Sequence, residues 1–106
     1  MRSEGAILYD FRKAMQDAET LENAAEKMKR LAENDMENSK HSLSAAWTGQ
    51  ASEGYQRKYV KLQRDILSSA NDLRRQASTI RTMARRTYEA EMRALRLASD
   101  RNYEGH

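Results

Sequence analysis

The sequence has no cysteine and no proline, and its 106 residues include only four glycines, one tryptophan and one phenylalanine. Without cysteine there is no disulfide, no thiolate nucleophile and no cysteine-ligated metal. Without proline, nothing removes a backbone donor from inside a helix. One valine and three isoleucines leave little from which to build strands. The two histidines, His41 and His106, stand far apart and belong to no ligand-spaced cluster, so neither a metal nor a cofactor is expected. The N-terminal apolar run, Ala6-Ile7-Leu8, is too short for the apolar core of a signal peptide. No later stretch is long enough to cross a bilayer, so no stable membrane insertion is expected. The expectation is a soluble chain made in the cytoplasm without a Sec-type leader, which leaves a leaderless export route open.

What is present favours helix. Hydrophobic residues make up 39% and charged residues 33%, too charged for an ordinary compact core but too periodic for disorder. Ala, Glu, Lys, Leu, Met, Gln and Arg dominate, and all are good helix formers. Over residues 7 to 46, Phe11, Ala14, Ala18, Leu21, Ala25, Met28, Ala32, Ser39 and Leu43 recur three, four or seven apart. Asp35 interrupts that stripe. Over residues 50 to 98 a stronger stripe runs through Ala51, Tyr55, Tyr59, Leu62, Ile66, Ser69, Leu73, Ala77, Ile80 and Ala84. Its repeat is close to 3.5 residues, the signature of helices packed side by side at a shallow angle.

These patterns predict an all-α fold in a single domain, an antiparallel two-helix hairpin. Helix 1 spans about 7–46, a turn lies at 47–49, helix 2 spans about 50–98, and 99–106 form a C-terminal tail. Phe11, Leu21, Met28, Tyr55, Tyr59, Leu62, Ile66, Leu73 and Ile80 are the expected packing residues. At about 1.5 Å per residue the helices measure roughly 60 Å and 73 Å. The second should therefore outrun the first from about Tyr88 onward, leaving Met92, Leu95 and Leu97 without a partner within the chain. A bare hairpin also buries little surface, which points to dimerisation into a four-helix bundle.

The turn lies in SLSAAWTGQASEGY. Gly49 takes positive φ at no steric cost, Thr48 can cap the second helix, and Trp47 can lay its ring over the loop. A chain of about a hundred residues with two long helices and a central Trp-x-Gly resembles the WXG family of small type VII (ESX) secretion proteins. The early secretory antigenic target proteins of mycobacteria are its best-known members. The resemblance covers nearly the whole chain, with Trp47 and Gly49 on the motif positions and Thr48 at the variable one.

It implies a hairpin that dimerises antiparallel and leaves the cell folded, through a membrane-embedded machine with a hexameric ATPase. Partners so implied are a second copy, a WXG paralogue or the helical N-terminal domain of a toxin, together with the type VII ATPase. The implied roles are secreted effector, co-secreted partner or chaperone. The family also carries a tyrosine followed four residues later by Asp or Glu, near the end of helix 2. Here TYEAEMRAL places Tyr88 at the tyrosine, but Met92 stands four residues on and the acid, Glu91, only three. Residues three and four apart share a helix face, so Glu91 can present its carboxylate close to the family position.

Other classes have less behind them. Residues 1–46 hold seven basic and nine acidic side chains, and residues 47–106 hold twelve and seven. The arginines of the second half suggest phosphate contacts. Against nucleic acid, that half lacks interleaved aromatics and a helix-turn-helix arrangement. No Ser/His/Asp set or carboxylate pair suggests an enzyme, and a two-helix hairpin offers no concave pocket. An intracellular coiled-coil adaptor is the remaining alternative; it needs Trp47 and Tyr88 only for packing.

Overall fold

The computed structural model describes residues 2–44, 46–47 and 49–104. Thr48, the middle residue of the turn motif, and 105–106 of the expected tail lie outside the described residues. The elements are α1 (Glu4–Arg30), a five-residue π-helical segment (Leu31–Asp35), α2 (Met36–Leu43) and α3 (Gly49–Glu104). No strand occurs among the described residues, and the two long helical stretches are compatible with a helical hairpin. The chain divides into two compact units, Leu21–Arg75 and Met1–Thr20 with Gln76–His106.

In the Leu21–Arg75 unit, the first and second helical stretches run antiparallel. Glu26 pairs with Arg74 at 3.2 Å, while Ala32, further along the first stretch, is bonded by Gln63, earlier in α3. The centre of this pair is made of small side chains. Ala25, Ala32 and Ala70 are 0%, 1% and 2% exposed, and Gln63, at 8%, is the one buried polar residue among those described. Ile66 and Leu73, expected at the centre, lie half-buried beside it, as do Leu21, Met28 and Tyr59. Tyr55 and Leu62 stay largely outside the core; they are 66% and 51% exposed, and Ser69 is exposed too. The reason is geometric. Helices approach closest where side chains are smallest, so the alanine heptad takes the seam and the bulky heptad beside it is pushed to the margin.

The π-helical segment explains the interruption at Asp35. The Met36 N–H donates to Leu31 O, five residues back, so the segment absorbs one extra residue. That turns the exposed Asp35 outward and brings Met36 to 8% exposure. Ser39 falls off the stripe for the same reason, and Leu43 ends 43% exposed. The longer bond also takes from the Ala32 carbonyl the donor an α-helix would supply. Gln63 Nε2 donates to that carbonyl at 3.0 Å, and the Tyr59 hydroxyl donates to Met36 O at 3.0 Å. Two polar side chains of α3 thus hold the irregular turn.

In the other unit, residues of α1 up to Thr20 pair antiparallel with α3 from Gln76 on. Ile7, Ala18 and Ala77 are buried, with Phe11, Ala14, Ile80, Ala84 and Tyr88 half-buried around them. α1 starts at Glu4, three residues before the expected boundary, because Ser3 caps it. Its Oγ accepts from the Ala6 N–H at 3.2 Å and its carbonyl from the Ile7 N–H at 3.0 Å. The earlier start changes the expected arm. Tyr88 packs on Phe11 with tilted rings, centroids 4.8 Å apart, and Glu91 meets Arg2 at 3.2 Å. Chain exists to cover both. Met92 and Leu95 are half-buried, whereas Leu97 is 54% exposed. α3 itself continues to Glu104, so most of the expected tail is helical.

Replacing Gln63 with Leu should leave the Ala32 carbonyl buried without a donor, at a cost of about 1–3 kcal/mol in urea unfolding. In a variant lacking Asn34, which restores α-helical spacing, the same substitution should cost markedly less. Equal costs in the two backgrounds would contradict the role given to Gln63.

Candidate functional site

Between α2 and α3 the chain leaves the helix in steps. The Ser44 N–H and hydroxyl both donate to His41 O, at 3.3 and 2.7 Å. The Ala46 N–H donates to Leu43 O at 2.9 Å, and the Trp47 N–H to the same carbonyl at 3.1 Å. Gly49 opens α3 with φ at +83°. Nothing lies within 4 Å of where its Cβ would sit, so the position calls for glycine through backbone conformation and not through crowding. The Trp47 ring is half-buried and meets the Tyr59 ring edge-on, with centroids 5.7 Å apart at 61°. Gln56 Nε2 reaches Trp47 O at 3.4 Å. Tyr59 thus touches Trp47 with its ring and Met36 O with its hydroxyl. The tryptophan is tied to the same residue that holds the start of α2.

Beside Trp47 lies an open groove of about 360 Å³ bordered by Glu37, Lys40, His41, Ser44, Gln56 and Val60. Glu37 accepts from Gln63 at 3.1 Å and faces the Lys40 ammonium at 3.3 Å. The Gln63 hydrogen bond, and then the one from Lys40, hold its carboxyl below the usual value near 4.5.

In the unit formed by Met1–Thr20 and Gln76–His106, Tyr88 and Glu91 share the face of α3 that the start of α1 covers. Arg2 donates to both Glu91 carboxylate oxygens, at 3.3 and 3.2 Å, to Ala6 O at 3.0 Å, and to the Asp10 carboxylate. The bond to Asp10 is the main reason that the Arg2 guanidinium titrates even higher than usual. A cleft of about 290 Å³ opens beside the Phe11–Tyr88 pair, floored by Ile7, Ile80 and Ala84 and flanked by Met83. Sequence reasoning missed Arg2, Gln63 and Met36. Ser3-Glu4, a cap followed by an acid, was the readable sign that α1 begins early enough to bring Arg2 over Glu91.

Among the described side chains, the large apolar residues left most exposed on α3 obey one rule. Tyr55, Leu62, Met83 and Leu97 are 66%, 51%, 61% and 54% exposed, and they stand at multiples of seven residues from one another. Among the described residues no group of three His, Cys, Asp or Glu is placed to hold a metal. Nor, among the described residues, is any helix long and apolar enough to cross a membrane. Compared with known proteins, the chain matches no family model, no curated protein and no solved structure.

A carboxyl depressed by native contacts contributes stability above its unfolded-state pKa, and that contribution disappears as pH falls through the lower native value. Between pH 7 and pH 3, the urea midpoint of the wild-type chain should therefore fall further than that of Glu37→Gln. Parallel curves would contradict the bonding described for Glu37.

Proposed function

We propose that this chain is a small WXG-type protein, exported folded by a type VII secretion system. It acts as a homodimeric effector or as a co-secreted partner or chaperone. The observation that carries the reading is the junction at Trp47 and Gly49. The chain's only tryptophan stands half-buried on Tyr59 where helix gives way, two residues before a glycine at positive φ. A plain coiled-coil loop requires no such aromatic. In this reading Trp47, Thr48 and Gly49 form the hinge of the hairpin and one element of the export signal.

Tyr88 and Glu91 form the second element. Their packing on Phe11 and Arg2 supports a defined surface at that place, in which the acid three residues after the tyrosine is fixed by an ion pair. The uncovered apolar positions on α3 support a helical partner: a second copy first, then a WXG paralogue or the N-terminal domain of a toxin. The same positions favour the competing reading as an intracellular coiled-coil adaptor, for which Trp47 serves only packing.

Export separates the two. In a host with a type VII system, the chain should reach the culture supernatant, and inactivating the secretion ATPase should abolish this. Trp47→Ala should retain helical content and dimer mass while losing export. Met92→Glu, which supplies an acid four residues after Tyr88, should keep or raise it. Unchanged release from ATPase-null cells contradicts the secretion reading, and normal export of Trp47→Ala contradicts the part given to the tryptophan.

A further inference from the structure

The cleft beside Phe11 and Tyr88 is apolar along one end and charged along the other. Ile7, Asp10, Phe11 and Ala14 line it from α1, at spacings that put them on one face of that helix. Ile80, Ala84, Tyr88 and Glu91 line it from α3 in the same way. All of them belong to one compact unit, Met1–Thr20 with Gln76–His106. Because the two segments run antiparallel, Ala14 lies toward the Ile80 and Ala84 end, and Ile7 toward the Glu91 end. The two alanines leave room that longer side chains would fill. Met83, at its edge, keeps 61% of its surface exposed.

Three charged side chains line this cleft: Arg2, Asp10 and Glu91. One guanidinium thus stands between two carboxylates, which leaves one negative charge in excess. Arg2 spends its donors on Glu91, Asp10 and the Ala6 carbonyl. Asp10 is exposed and Glu91 half-buried, so both carboxylates keep lone pairs within reach of a second donor. A smaller cleft of about 110 Å³, bordered by Ile7, Arg2, Glu91 and Ala94, opens against the same ion pair. The Glu91 carboxylate therefore borders open space in both.

We propose that this cleft binds a small apolar cation, an amine or quaternary ammonium carried on a short alkyl chain or a single ring. The proposal goes beyond the export reading and does not depend on it. The apolar body lies over Ala14, Ile80 and Ala84 beside Met83, where burial supplies the attraction. The cationic head sits at Asp10 and Glu91, and the Phe11 and Tyr88 rings add a π surface that attracts positive charge. Charge selects among ligands of one shape. A bound cation brings the three charged groups to neutrality, a neutral molecule leaves the excess as it is, and a carboxylate doubles it. Arg2, already shared between two acids, has little left to offer an anion. The volume stands at the low end for small-molecule sites, which limits the body to a modest size.

Three probes with one chain length test this on the purified full chain: octyltrimethylammonium, octanol and octanoate. Titrations followed by the methyl resonances of Met83 and Ala84 should show saturable binding of the cation, about tenfold tighter than octanoate, with octanol between. Two charge variants should move the cation in opposite directions. Glu91→Gln should weaken it about threefold toward octanol, and Arg2→Ala should tighten it by a similar factor, because the excess negative charge then doubles. Octanol binding should change little in either. Ala84→Phe, which fills the cleft, should abolish binding of all three. Circular dichroism at matched helical content keeps a folding defect from imitating these results. No saturable shift, octanoate or octanol binding as tightly as the cation, or weaker cation binding by Arg2→Ala would overturn the proposal. The readout is binding in solution, so a chain that binds the cation and is never exported fails only the secretion reading.

Discussion

Two helices lined with alanine must approach closely or gain little, and the rest of this molecule follows from that. Ala25, Ala32 and Ala70 in one unit, and Ala18 with Ala77 in the other, are buried almost completely. Each methyl removes little apolar area from water, so the seam depends on continuity more than on any single side chain. The π-helical turn at Leu31–Asp35 keeps it continuous where a strict heptad would bring Asp35 inward. It does so by displacing a backbone hydrogen bond, and Gln63 restores the missing donor. The only buried polar residue in the described core is thus the consequence of keeping a charged one out.

The same constraint explains what faces water. When the small heptad takes the seam, the bulky heptad beside it has nowhere to go within one chain. Tyr55, Leu62, Met83 and Leu97 are the result. They do not serve the isolated chain, because exposed apolar groups lower solubility. They make sense for a chain completed by a helical partner. The proposed export role adds a reason for the tryptophan at the α2–α3 junction, which otherwise has only a packing task.

Much of the fold was legible in the sequence because helix formers, missing prolines and alanine spacing all pointed one way. The residues at its centre were harder to read. Periodicity picks out large apolar side chains, so Tyr55 and Leu62 looked like core and Gln63 did not. Which of two adjacent heptads faces the partner helix is decided by closeness of approach, which favours the smaller one. Asp35 was visible as a break, but its resolution by a one-residue π insertion depends on Gln63, thirty-one residues from Ala32 in sequence. Of the two proposed signal elements, the Trp47–Gly49 junction announced itself through composition. The surroundings of Tyr88 and Glu91 did not, because they depend on Arg2 and on a cap at Ser3 that sets where α1 begins.

The central claim is that the alanine seam folds the chain and the outer heptad of α3 completes it by association. Concentration dependence of unfolding tests this most directly, since a partner that binds only the folded state stabilises it by mass action. Urea unfolding followed by circular dichroism, from about 1 to about 100 µM chain, should show a midpoint that rises steadily with concentration. A midpoint that stays fixed across that range would contradict the account.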